Sequence, residues 1–226
     1  MTTFHDIAKG SGHLIKFLHV ATGTRVEFPA FLTQFNDNYT VSWGNEQIFG
    51  RVDPIKPYQS TSRNISIGFD VLSDSLFRAR ENMEKYTTLV QMLYPVYGEP
   101  LSGGEQGRGR TLKAPPLIRL QFMNLIKNVS NSTVEEGLLG CISGVSMNPQ
   151  AQSGYFTTNN ELLPKNFNIQ FTFEPQHETP LGFRGNNFIN PEFPYGRSSS
   201  VTSDKVAPGT AEVSQARENG ITGGNN

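Results

Sequence analysis

The stretch Asn64-Ile-Ser-Ile-Gly-Phe-Asp-Val71, with the run that follows it to Tyr94, decides the fold. In the first part Ile65, Ile67, Phe69 and Val71 stand on alternate positions, and a period of two places all four on one face of a strand. The period then changes. Leu76, Ala79, Met83, Tyr86, Leu89, Val90 and Leu93 recur at spacings of three and four, which gathers them on one face of a helix. Ser73, Asp74 and Ser75 offer N-cap oxygens at the junction. Pro95 and Gly98 end the helix, and Arg78, Arg80, Glu81, Glu84, Lys85 and Gln91 fill its wet side. A helix over residues 74–94 with one apolar face needs a sheet to lie on, and the other strong signals in the chain are strands.

Upstream, residues 13–20 alternate weakly and read as a strand. Ala21-Thr-Gly-Thr24 reads as a turn in which Gly23 supplies φ > 0. Residues 25–35 resume as a second strand, interrupted at Pro29, so the pair reads as a hairpin with an edge or bulge. Asn36-Asp-Asn38 breaks that strand, and Tyr39-Thr-Val-Ser-Trp43 is a short one. Residues 48–62 contain Asp53-Pro54 and Lys56-Pro57 and read as an extended loop. Asp53 and Arg63 flank the approach to the central strand; they either pair and pin the loop or lie free. Downstream, residues 99–113 are Gly-rich and read as a flexible loop. Residues 117–126 form a strand, and residues 137–147 form another, loosened by Gly140 and Gly144. Residues 148–160 read as loop. Phe167, Ile169, Phe171 and Phe173 alternate with polar residues in a half-buried strand that Pro175 stops. From Gln176 onward no apolar period is present, and residues 197–226 read as disordered on composition.

The 226 residues carry a net charge of -1, which gives no general affinity for nucleic acid or an anionic membrane. The N-terminus lacks a basic segment followed by an apolar one, as a signal peptide would have, and no run is long enough for a membrane-spanning helix. One cysteine excludes a disulfide framework within the chain. Cys141 lies in an apolar run and reads as a buried, reduced thiol. His13 and His19, six residues apart on a strand, stand roughly 20 Å from each other, too far to share a metal ion. Gly103 to Arg110 lacks the Gly-Lys-Ser/Thr of a phosphate loop. Glu135-Glu136 sits on a turn, where sequence neighbours point apart. The expectation is therefore no catalytic residue, no metal and no cofactor.

Several segments taken in order carry a resemblance: Phe28-Pro-Ala-Phe-Leu-Thr-Gln-Phe35, Phe49-Gly-Arg-Val-Asp-Pro-Ile55, Tyr58-Gln-Ser-Thr-Ser-Arg63, Ile65-Ser-Ile-Gly-Phe-Asp-Val71, the helix ending Leu93-Tyr-Pro95, Ala114-Pro-Pro-Leu-Ile-Arg-Leu120, and Leu163-Pro-Lys165. Over roughly residues 13–183 this order resembles structural proteins of contractile-tailed bacteriophages that join the tail tube to the baseplate. The resemblance implies an antiparallel β-sandwich or barrel of tail-tube type with a flanking helix, and self-assembly into rings, usually sixfold. The long extension after Arg184 departs from a bare tube subunit and fits a connector near the baseplate.

The expectation is an α+β, mainly β chain in three parts: an N-terminal arm over residues 1–12, a tube-like domain over 13–184, and an extended tail over 185–226. Its partners would be further copies of itself, six in a ring as the resemblance implies, and tube, sheath or other baseplate proteins, with no membrane and no sequence-specific nucleic acid. It would be assembled in the host cytoplasm and reside in the virion. Partner contacts are expected at Arg108 and Arg110 in the Gly-rich loop and at Pro191, Phe193, Pro194 and Tyr195 in the tail, which would cross onto an adjacent subunit or a different protein of the particle. The alternative is a carbohydrate- or receptor-binding β module that stacks ligand on Trp43, Tyr39 and loop aromatics.

Overall fold

The computed structural model describes residue 10 and residues 12–98, 111–128, 137–158 and 160–195. The expected N-terminal arm up to residue 9, the Gly-rich loop with Arg108 and Arg110, the Glu135-Glu136 pair and the tail beyond Tyr195 lie outside the described residues.

The described residues are mainly β with one long α-helix. Their centre is a seven-stranded antiparallel sheet in the order β2-β1-β7-β8-β11-β4-β3. These strands are β1 (Leu14–His19), β2 (Arg25–Pro29), β3 (Phe31–Trp43), β4 (Tyr58–Leu72), β7 (Ile118–Phe122), β8 (Leu138–Pro149) and β11 (Asn166–Pro175). The expected hairpin β1–β2 forms, with Leu14 opposite Pro29 and Leu18 opposite Arg25, and Gly23 takes φ +70° in its turn.

Two observations show that the sheet curls onto itself. A single residue, Ala30, joins β2 to β3, yet these are the two opposite edges of the sheet. The Phe28 ring on β2 also lies 5.9 Å from that of Phe69 on β4, and Phe17 on β1 lies 5.4 Å from Phe171 on β11. In a flat sheet β2 and β4 would stand about 24 Å apart, five strand spacings. Only a barrel-like curl brings those rings together. The alternating residues read from the sequence fill its interior: Ile65, Ile67, Phe69 and Val71 of β4, and Phe167, Ile169, Phe171 and Phe173 of β11, are buried in one cluster.

The helix α1 (Leu76–Gln91) starts at Ser75, whose hydroxyl accepts from the Arg78 N–H at 3.3 Å. It packs against β2 and against β10 (Glu161–Pro164). Ala79, Leu89 and Met92 are buried, whereas Met83, Tyr86 and Leu93, which share the expected face, are half-buried at its rim. The face is centred one residue away from Met83 because Asn82 is buried there: its amide donates to Ser73 Oγ at 3.0 Å and to the Leu72 carbonyl at 3.4 Å. A polar side chain ties the helix to the end of β4, which apolar spacing does not reveal.

The loop expected at residues 148–160 is more ordered than its composition suggests. A 3-10 turn (Ala151–Ser153) leads into β9 (Tyr155–Thr158), which pairs with β10 as a hairpin. Small two-stranded pairs also form between β5 (Val96–Tyr97) and β6 (Leu112–Ala114), and between β12 (Phe183–Arg184) and β13 (Asn187–Phe188). Gly140 does not loosen β8. A Cβ there would run into the Glu174 carbonyl and the Phe173 ring, so glycine permits the close approach of β11. Cys141 is half-buried rather than buried.

Candidate interaction surface

β3 and β4 are longer than the sheet that contains them. β11 pairs with β4 only from Leu72 back to Ile65. Beyond that point β3 and β4 continue as a two-stranded ribbon, paired from Asp37 opposite Ile65 to Trp43 opposite Tyr58. The pairing extends further through Gly44 N–H to the Pro57 carbonyl at 2.8 Å, and through reciprocal bonds between Glu46 and Ile55 at 2.9 Å. The strand break expected at Asn36-Asp-Asn38 is continuous strand, and of the loop expected at 48–62 the part from Tyr58 to Ser62 is strand, while residues 48–54 are the loop that closes the ribbon. Local composition favoured a break at Asn36-Asp-Asn38, but these three residues pair with Ser66, Ile65 and Asn64, and pairing outweighs propensity.

The residue that sequence reading most misplaced is Asp37. Its side chain is buried at the base of the ribbon rather than on a turn, and it reaches diagonally across to Arg63, two residues along β4 from its register partner Ile65. Arg63 Nε donates to Asp37 Oδ1 at 2.9 Å and Nη2 to Oδ2 at 2.7 Å, and both side chains are 3 % exposed. The open question about Arg63 is thus settled: its partner is Asp37 and not Asp53. The bidentate geometry suits a guanidinium that has left water. The Tyr39 hydroxyl donates to the same carboxylate at 3.1 Å, and Arg63 Cζ lies 5.3 Å from the Tyr39 ring centre.

The chain after β11 folds back onto this cluster. The Gln176 N–H donates to the Leu139 carbonyl at 2.7 Å, and Arg119 on β7 grips Glu178 with two bonds of 2.9 and 2.7 Å. Phe193 then sits with its ring centre 5.3 Å from Arg63 Cζ, 6.3 Å from the Tyr39 ring and 5.5 Å from His177. The Tyr195 hydroxyl donates to Asp37 Oδ2 at 3.2 Å. Arg63 is therefore held between two rings, and the C-terminal segment completes its enclosure. Packing continues past the expected boundary at 184. Phe193 and Tyr195 contact residues of their own chain. The segment has no apolar period because polar anchors and single aromatics hold it. Pro191 and Pro194 flank this contact; Arg108 and Arg110 fall in the undescribed loop.

Burial pushes the Tyr39 phenol upward; Arg63 opposes this and Asp37 adds to it. Burial and then Asp37 raise Tyr195 in the same direction. Burial lowers His177 below its usual value, and the Arg63 charge lowers it further. Arg119 holds the Glu178 carboxyl below the usual carboxylate range. His19 is buried in the β1–β2 turn with Nδ1 2.7 Å from Thr22 Oγ1, which gives it a structural place. His13 is exposed.

Past this cluster the ribbon becomes apolar and exposed. Trp43 and Tyr58 stack edge to face at 5.7 Å on its surface. At the tip Phe49 is fully exposed and Val52 is 94 % exposed, with Ile48 and Ile55 also open. An open cleft of about 480 Å³ runs along the ribbon from its base to Tyr58, walled by Tyr39, Tyr58, Leu181 and Phe193. Among the described residues no helix is long and apolar enough to cross a membrane, and no group of three or more His, Cys, Asp or Glu is placed to hold a metal ion.

No family model and no curated protein matches the chain. Among solved structures it is similar to the Dit protein of SPP1, described as a paradigm of the hub adsorption apparatus in phages that infect Gram-positive bacteria. That match has a TM-score of 0.34 at 9 % identity, covering 72 % of this chain and 49 % of that one, so this chain spans about half of the Dit protein. A second similar structure is a chain of the anti-feeding prophage baseplate, with a TM-score of 0.30 at 8 % identity, covering 71 % of this chain and 87 % of that one.

Proposed function

We propose that this protein is a structural subunit of a bacteriophage tail, assembling into a ring that connects or stabilises the tail tube and the baseplate. The observation that carries the reading is the β3–β4 ribbon. An isolated two-stranded ribbon is only marginally stable in water, and apolar side chains at the end of a projecting element mark a contact with another molecule. A curled sheet that projects such a ribbon is built to be one unit of an assembly. The ordered segments that resemble tube-to-baseplate proteins supply the setting. The role is mechanical, with no residue assigned to catalysis, and the partners are further copies of the chain together with tube, sheath or baseplate proteins of the particle.

A carbohydrate-binding module fits less well. The aromatic residues are present, but the Tyr39 hydroxyl is used by Asp37 and the Tyr58 hydroxyl lies 2.8 Å from Thr61 Oγ1. A sugar needs polar groups that are free to bond it. Cryo-electron microscopy of native tails tests the proposal. A closed ring of this chain at the junction of tube and baseplate is the expected result. Its absence from purified tails would overturn the reading.

A further inference from the structure

The ribbon tip and the cleft along the ribbon have matching chemistry. The tip presents Phe49 and Val52 almost wholly to solvent. The cleft presents ring faces and Leu181, while its polar side chains are largely occupied: Tyr39 and Arg63 by Asp37, Tyr58 with Thr61, and Thr179 by the Asn190 amide at 3.3 Å. Such a site accepts an apolar side chain and offers little to a ligand that needs hydrogen bonds. The charges of the tip loop cancel, Glu46 and Asp53 against Arg51 and Lys56, so the loop approaches a near-neutral surface without repulsion.

The tip cannot reach the cleft of its own molecule. The outermost rung that walls the cleft is Tyr58 opposite Trp43, and from it to the bridge at Glu46 the paired ribbon advances about 10 Å further at the usual rise per residue. Phe49 lies farther out still. The paired ribbon holds the apolar tip and the cleft apart within one chain, so the tip does not fill its own cleft.

The geometry points to a head-to-tail contact between copies of this chain, in which Phe49 and Val52 of one copy fill the cleft beside Leu181 and Phe193 of the next. The contact uses two different surfaces, so each copy has one of each, and repetition produces a ring or an open filament. This deepens the assembly reading by naming its two surfaces. Its test is independent of that reading, because it is performed on the purified chain whether or not tails contain it.

The experiment mixes two full-length variants and measures mass in solution by light scattering. Phe49→Asp spoils the tip, and Leu181→Asp spoils the cleft; Leu181→Ser serves as a second cleft variant, with circular dichroism confirming the fold of each. The wild-type chain should associate progressively with concentration. Each variant alone should remain monomeric, and an equimolar mixture should form dimers and nothing larger, because one intact tip meets one intact cleft. Cysteines placed singly at positions 49 and 181 on separate chains should cross-link into heterodimers under oxidation. A wild-type chain that stays monomeric overturns the inference, as do variants that fail to pair when mixed. Association that survives Phe49→Asp but is lost with Leu181→Asp also overturns it, since the cleft then takes another segment, such as residues 196–226.

Discussion

The curled sheet and the β3–β4 ribbon share two strands but are held by different forces. Within the sheet β4 has a partner on each side, and its inward residues pack among phenylalanines with no water. In the ribbon the same strand has one partner and no apolar interior. At the transition between them lies the Asp37–Arg63 pair, closed by Tyr39, Phe193 and Tyr195. Arg63 occupies the inward position that Ile65, Ile67 and Phe69 occupy farther along β4. An ion pair with aromatic covers thus takes over where the apolar core runs out. A strand can leave a core without unravelling if its last inward side chain finds a specific polar partner. The cost is dependence on a few residues, where the core spreads its stability over many.

That contrast can be broken most forcefully in the core. Phe69→Asp places an unpaired carboxylate where no water reaches, at a cost of several kcal/mol against a total stability of about 5–15. The whole domain should lose its cooperative thermal transition. A soluble variant with native near-ultraviolet circular dichroism would show that the aromatic interior does not hold the sheet.

Arg63→Ala tests the transition itself. It leaves Asp37 enclosed without its cation, a loss of about 3–5 kcal/mol for a buried pair. Proteolysis should cut the ribbon and the segment after β11 well before the sheet. Simultaneous unfolding of both would mean that ribbon and sheet are one cooperative unit.

Phe193→Ala removes edge contacts with Tyr39 and His177 and one cation-π contact with Arg63, together about 1–2 kcal/mol. Hydrogen exchange should quicken in residues 37–43 and 176–195 while β11 stays protected. Uniform quickening across the sheet would remove the distinction drawn here.

The smallest effect is a pH dependence. His177 has a folded-state pKa below 6.5, so the unfolded chain binds the proton more readily. The associated stability is present above pH 6.5 and is lost as pH falls toward the folded value, below which it levels off. The segment bearing Phe193 should loosen over that interval. His177→Phe should flatten this part of the profile, and an unchanged profile in that variant would exclude His177 as its source.

How much of this was legible in the sequence follows from where each signal resides. The alternation of Ile65 to Val71 and of Phe167 to Phe173, the helical spacing from Leu76 to Leu93 and the turn at Gly23 were readable, because period and turn chemistry depend on residues within a few positions of each other. The destination of Asp37 was not. Its partner lies 26 residues away on the next strand, and the ring that covers that partner, Phe193, belongs to a segment with no period at all. The curl of the sheet was equally hidden, since it depends on Ala30 joining two edges whose separation is set by five other strands. Strands and helix were written locally by side-chain rhythm. The ribbon, its clamp and its cleft came from pairings across long stretches of chain, where burial and charge compensation override what the neighbouring residues favour.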